Sequence, residues 1–170
     1  NYTMTLKKNK IKSAIDIQSS IKRIAYQLYE TNINETTLVL VGIEKKGAFL
    51  SKLIGLELCK ISTLKLIHVT LKLNKKKPKN TIECSLPISQ IENHSIVIVD
   101  DVLNTGSTLI YAVNHFLQIS VKQIKTVVMV NRNHKKYPIK ADFKGISLST
   151  SLNDHVTVVL KGNESGIYLS

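Results

Sequence analysis

The sequence is most informative at first through what it is short of. It has two cysteines, Cys59 and Cys84, and they show no metal-ligand spacing. Cys59 falls in a helical pattern and reads as packing rather than chemistry, and a reducing cytoplasm is the expected compartment. No apolar run approaches the ~20 residues needed to span a bilayer, so no membrane partner is expected. The opening stretch Asn1-Tyr2-Thr3-Met4-Thr5-Leu6-Lys7-Lys8 has no apolar core behind it, and the expectation is that it is not a signal peptide. Internal repeats and a second domain are missing, so residues 1–170 are expected to form a single domain. Acidic residues are scarce, 12 Asp and Glu against 24 Lys and Arg, for a net charge of +12. That balance favours anionic ligands, nucleotides and nucleic acid among them. The chain is rich in Lys, Asn and Ile throughout, however, so its charge alone does not establish RNA binding. What remains is 43% hydrophobic, enough for a globular chain with a substantial core.

Residues 1–12 are polar and basic and read as an arm or an entering strand. Ile17, Ile21, Ile24, Ala25 and Leu28 recur at helical spacing, which predicts a helix from about Ser13 to Glu30, with Ser13 or Asp16 as its cap. Leu38-Val39-Leu40-Val41-Gly42-Ile43 is a continuous apolar run suited to a strand buried on both faces. The charged turn Glu44-Lys45-Lys46-Gly47 leads into a helix presenting Leu50, Leu53, Ile54 and Leu58. Residues 64–73 are β-rich. Asn74-Lys75-Lys76-Lys77-Pro78-Lys79-Asn80 contains no apolar residue, so it is expected to be mobile, with a returning strand within residues 81–86. Leu109, Ala112, Val113, Phe116 and Leu117 form another helical stripe. Strands are expected at residues 126–130, 156–160 and 167–169, with a turn at 162–166. This alternation predicts an α/β fold with a mostly parallel central sheet flanked by helices.

The organising stretch is Ser95-Ile96-Val97-Ile98-Val99-Asp100-Asp101-Val102-Leu103-Asn104-Thr105-Gly106-Ser107-Thr108-Leu109. A β-branched apolar run meets two adjacent carboxylates, then a polar loop with one Gly, then a helical pattern. Such a turn aims backbone N–H groups and the helix dipole at an anion such as phosphate. The carboxylates fall at the carboxyl end of the strand, where open α/β sheets bind ligands. They accept hydrogen bonds from hydroxyls and can help hold a divalent metal. A receiver-like protein also carries acids at a strand end, but it gives no reason for Thr105-Gly106-Ser107-Thr108 to open the next helix.

Residues 97–108 resemble the phosphoribosyl diphosphate (PRPP) signature of type I phosphoribosyltransferases. Three further stretches narrow the resemblance: Lys22-Arg23-Ile24-Ala25, residues 40–52 and residues 130–145. Together they are similar to the bacterial pyrimidine operon attenuator proteins, which also act as uracil phosphoribosyltransferases, from about Leu6 to Tyr168. The chain has Glu44-Lys45-Lys46 where that family usually carries Lys-Thr-Arg. It also lacks the family's Tyr-Arg-Asp-Asp after Thr70-Leu71.

The resemblance implies a small hood over the sheet, PRPP and a nucleobase as substrates, Mg²⁺ held mainly through PRPP with no direct protein ligand, and a homo-oligomer, a dimer at least. It implies Asp100 and Asp101 as the catalytic pair on the ribose hydroxyls. The 5′-phosphate falls to Asn104, Thr105, Gly106, Ser107 and Thr108, and the diphosphate to Lys45 and Lys46. Taken bare, Lys45-Lys46 is an ordinary solvated turn. Arg132 and His134 approach the diphosphate or the base on this reading, against the plainer one of a solvated loop. Asp142 and Phe143 are assigned to the hood, and residues 74–80 to a loop that closes over PRPP. The expected reaction is uracil to UMP with diphosphate release, with a pyrimidine-regulatory role. A purine phosphoribosyltransferase, or a non-catalytic PRPP- or nucleotide-sensing regulator that binds RNA, is the alternative.

Overall fold

The computed structural model describes residues 8–170. The first part of the basic arm expected at residues 1–12 lies outside that range. Its remainder enters β1 (Asn9–Ser13), followed by α1 (Ala14–Thr31). Both cap candidates act together: the Ser13 hydroxyl accepts the Asp16 N–H at 3.3 Å, while the Asp16 carboxylate accepts the Ser13 N–H at 2.8 Å. This reciprocal capping box fixes where the helix starts. The chain continues through β2 (Thr37–Ile43), α2 (Lys46–Ile61), β3 (Lys65–Lys72), β4 (Glu83–Cys84), a 3₁₀ turn at Ile88–Ile91 and β5 (Ser95–Leu103). Then come α3 (Ser107–Phe116), β6 (Gln123–Arg132), β7 (Phe143–Leu148), β8 (Val156–Val159) and β9 (Gly166–Leu169).

Six strands form one sheet in the order β4-β3-β2-β5-β6-β7, parallel except for the short β4. Side chains alternate faces along a strand, and both faces are covered. Leu38, Leu40, Val97, Val99, Val127 and Met129 pack with Ile24, Leu28, Leu50 and Ile54 of α1 and α2. Val39, Val41, Ile96, Ile98 and Val128 pack with Leu109, Ala112 and Phe116 of α3. This is why the runs at residues 38–43 and 96–99 are continuously apolar. A smaller antiparallel sheet, β1-β9-β8, forms the hood.

The strand order places the site. From β2 the chain crosses through α2 to β3 on one side. From β5, on the other side of β2, it crosses through α3 to β6. The order therefore reverses between β2 and β5, and the carboxyl ends of those two strands open a crevice.

Several expectations need correction. Cys59 is exposed, because it lies one residue beyond the buried Leu58 and so about 100° round the helix. Leu117 is also exposed, since α3 ends at Phe116. Phe143 opens β7 at the edge of the main sheet, and Asp142 accepts the Thr126 N–H at 2.9 Å near the start of β6. Both therefore lie away from the hood, toward the opposite end of β6 from Arg132. Strand β7 escapes sequence reading because Lys144 and Gly145 interrupt an edge strand that is only half buried.

Gly42 lets α2 begin tight against β2. A Cβ there would lie 2.3 Å from the Ala48 Cα and 2.9 Å from its nitrogen. Gly42→Ala forces backbone apart and is expected to cost about 1–3 kcal/mol. Thermal denaturation should show a fall of several degrees, at about 2–4 °C per kcal/mol for a chain of this size. An unchanged midpoint would contradict the close approach.

Candidate active site

Strand β5 carries its acids to the crevice and stops at Leu103. The next three residues turn the chain, and Gly106 takes φ +86° as the residue before α3. Only glycine serves here. An L side chain is strained at that φ, and a Cβ would lie 2.3 Å from Ile139 Cγ2. The Thr105 hydroxyl accepts the Ser107 N–H at 3.2 Å, and the Thr105 carbonyl accepts the N–H groups of Lys136 and Tyr137 at 2.8 and 3.1 Å. The loop is thus braced from outside, while the first turn of α3 keeps N–H groups without helical partners.

A cleft of about 390 Å³ is lined by Asp100, Asp101, the loop 104–108, Lys75 and, from the hood, Val156. The signature residues named from sequence are therefore brought together. Asp100 is only 1% exposed. One of its oxygens accepts the Asp101 N–H at 2.9 Å. The Lys75 ammonium donates to both Asp100 oxygens, at 3.1 and 3.2 Å, and stands 3.9 Å from Asp101 Oδ1. Burial pushes the Asp100 carboxyl up to about 7. The Lys75 charge opposes the rise and the Asp101 carboxylate adds to it.

The other expected contributors are arranged differently. The start of α2 abuts the acids, since a Cβ on Gly47 would lie 2.5 Å from the Val99 carbonyl oxygen and 3.2 Å from Asp100 Oδ1. This start has no side-chain cap, which leaves its amides available to an anion. The Lys45 and Lys46 side chains instead line a separate, mostly apolar cleft of about 280 Å³ with Phe49, Val158, Val159 and Leu160.

Arg132 is buried, so it belongs to no solvated loop, and it is not a wall of the acidic cleft. Its guanidinium donates to Asn104 Oδ1 at 3.0 Å, to Thr150 Oγ1 at 2.8 and 3.0 Å, and to the carbonyls of Ser151 and Asp154 at 3.1 and 2.8 Å. It clamps the loop after β5 to the segment that leads into β8. His134 stands 3.4 Å from Thr150 Oγ1 and joins the same cluster.

Sequence reading missed Lys75 as a site residue, along with Thr150 and Val156. The sequence signals for Lys75 are its place in a basic stretch without apolar anchors and the resemblance that assigns residues 74–80 to a loop over the site, neither of which singles out Lys75 as the partner of Asp100. Among the described residues, no group of three or more His, Cys, Asp or Glu side chains could hold a metal ion. Two adjacent carboxylates are hard oxygen donors that suit Mg²⁺ if a bound ligand supplies most of the coordination. No helix among the described residues is long and apolar enough to cross a membrane.

An acid pair and an anion-ready helix start, set together at the switch point of a parallel sheet, define an α/β protein built for a sugar phosphate. Comparison with known proteins makes this specific. Residues 9–161 match the phosphoribosyl transferase domain model. The chain is similar to proteins named Bifunctional protein PyrR. That of Staphylococcus saprophyticus is 33% identical over 153 residues, covering 85% of this chain and 87% of the relative. That of Haemophilus ducreyi is 32% identical over 152 residues, 83% of each. The Streptococcus thermophilus protein is 29% identical over 158 residues, 91% of each. Among solved structures, hypoxanthine phosphoribosyltransferase of Trypanosoma cruzi aligns with a TM-score of 0.79 at 18% identity, covering 95% of both chains. That of Staphylococcus aureus aligns at 0.72 with 22% identity, covering 85% of this chain and 80% of the other; these are likenesses of fold. The chain belongs to the phosphoribosyltransferase family and is a pentosyltransferase that uses PRPP.

Two measurements probe the site without substrate. Burial in the folded chain raises the Asp100 carboxyl from its ordinary 3.8 to about 7. The folded state therefore holds the proton more tightly. This contribution to stability is full below pH 4 and is lost as pH rises through 7. Asp100→Asn removes the titration, so its melting temperature relative to the parent should rise by a few degrees between pH 5 and pH 8. A pH-independent difference would contradict the burial penalty. Arg132→Ala leaves buried acceptors unpaired at about 1–3 kcal/mol each, and Arg132→Lys cannot reproduce the fork. Both variants should melt several degrees lower, the alanine variant more so; parent-like melting of either would contradict the clamp.

Proposed function

We propose that this chain, acting as one phosphoribosyltransferase-like domain, transfers the 5-phosphoribosyl group of PRPP to a ring nitrogen of uracil, giving UMP and diphosphate. The observation that carries the reading is the Asp100–Asp101 pair lying in one cleft with the Gly106 turn that opens α3. The choice of uracil, and a pyrimidine-regulatory role beside it, rest on the resemblance to the attenuator proteins and on the PyrR relatives. The partners of this reading are PRPP, the base and a second copy of the chain. A reducing cytoplasm accords with two free cysteines.

In the reaction, the bond from ribose C1′ to a diphosphate oxygen breaks, a C1′–N bond forms, and the base nitrogen gives up its proton. The transition state carries positive charge on the ribose ring, so the protein acts mainly by placing reactants and complementing charge. Asp100 and Asp101 accept hydrogen bonds from the ribose 2′- and 3′-hydroxyls, and those donors favour the ionised carboxylates. The amides and hydroxyls of residues 104–108 hold the 5′-phosphate at the start of α3. The diphosphate faces the uncapped start of α2, with Lys45 and Lys46 adding charge from the neighbouring cleft. Arg132 positions Asn104 and the approach to β8, and Val156 meets the base from the hood side. When bound, Mg²⁺ supplies positive charge to the leaving diphosphate.

A second reading is a phosphoribosyltransferase whose main role is PRPP- or nucleotide-sensing regulation through RNA. It is favoured by the net charge of +12 and by the replacement of the usual acidic stretch after Leu71 with a lysine-rich one. Diphosphate release should be measured with PRPP, Mg²⁺ and each nucleobase in turn. Release with uracil supports the first reading. Release with a purine alone reassigns the base, and no release with any base removes the uracil-transfer reading. RNA retention that falls steeply with salt would then support the regulator. Asp101→Asn should lower kcat/KM by roughly 10²-fold or more, about 2.7 kcal/mol, with the fold intact by circular dichroism; full activity would sink the assignment.

A further inference from the structure

The contact of Lys75 with the acid pair is absorbed by none of the roles above. The Lys75 ammonium reaches both oxygens of the buried Asp100 carboxyl and lies near Asp101, while its own side chain is 46% exposed. It therefore enters from the solvent side and covers the acids. Among the described residues it is the only cation paired with either of them. The stretch that delivers it has few other holds. Asn74 Oδ1 accepts the N–H groups of Lys76 and Lys77 at 3.0 and 3.1 Å, and the two-residue β4 anchors the far end.

We propose that Lys75 is an internal plug, an ammonium group standing where the ribose hydroxyls and their accompanying cation belong, so that a ribose phosphate binds only by displacing it. This rests on the reading of the acid pair as the ribose site. The argument is one of occupied acceptors. A vicinal diol must donate into the same carboxylate oxygens that Lys75 now fills, and an ammonium with three donors satisfies them much as two hydroxyls would. Removal of Lys75 by itself would leave two adjacent carboxylates with no compensating charge, one of them buried. Displacement is therefore easiest for a ligand that arrives with its own cation. The plug makes the free protein discriminate against ribose phosphates that come without a metal. Once released, residues 74–80 are free to be repositioned over the cleft.

The sign of one substitution separates this from a general charge effect. Removing a lysine from a phosphate-binding cleft weakens anion binding by ordinary Coulomb attraction. Removing a plug tightens it. The probe is ribose 5-phosphate with saturating Mg²⁺, which carries the hydroxyls but no diphosphate, measured by titration calorimetry on the full chain. Lys75→Met is expected to lower Kd about 3- to 10-fold, whereas Lys75→Arg, which keeps a cation at the acids, should stay at or above the parental Kd. An unchanged or raised Kd in Lys75→Met overturns the proposal, as does equal tightening in both variants. If the parent binds and Lys75→Met binds no better, only the plug fails. If neither binds, the ribose-phosphate reading of the site fails and takes the plug with it.

Discussion

A carboxyl group that is almost wholly removed from water must find a counter-charge, hold its proton or lose stability. Asp100 lives under that constraint, and much of the site follows from it. Its neighbour Asp101 makes ionisation harder, and Lys75 makes it easier. A sheet buried on both faces leaves few places for such a pair. The crevice between the carboxyl ends of β2 and β5 is one, because the chain leaves those strands in opposite directions. On the proposed reading, the acids that burial makes a liability are the hydrogen-bond acceptors of the ribose.

The sequence made the centre of this arrangement readable because its signal is contiguous. Strand, acids, glycine and helix follow one another within residues 95–109, and each step has its own local cause. Buried strands read well for the same reason, since covering both faces demands unbroken apolar runs. What escaped was long-range or weakly patterned. Lys75 meets Asp100 across 25 residues of chain, and Arg132 meets Thr150 across 18 and Asn104 across 28. No periodicity encodes those meetings. β7 escaped because an edge strand can afford Lys144 and Gly145. Cys59 and Leu117 were placed inside because helical spacing reports the stripe better than its borders.

The start of α2 shows how the backbone contributes where side chains do not. Gly42 and Gly47 remove the atoms that would hold the helix away from β2 and from Asp100. The first amides of α2 are thereby set beside the acids, while Lys45 and Lys46 extend into a second cleft under the hood. The charged pair Lys45-Lys46 lines the neighbouring cleft, while Gly42 and Gly47 set how closely α2 approaches the acids. Closeness of approach, which has no side-chain signature beyond the absence of one, sets the geometry of the crevice.

The Arg132 clamp makes the two ends of the cleft mechanically one part. Its fork holds Asn104, in the turn before α3, and residues 150–154, from which the chain runs directly into β8 and the hood. A shift of the segment that leads into β8 is therefore transmitted through the Arg132 guanidinium to the loop that opens α3 and lines the acidic cleft. On the proposed reading, substrate preference is then a property of this linkage as much as of the pocket wall.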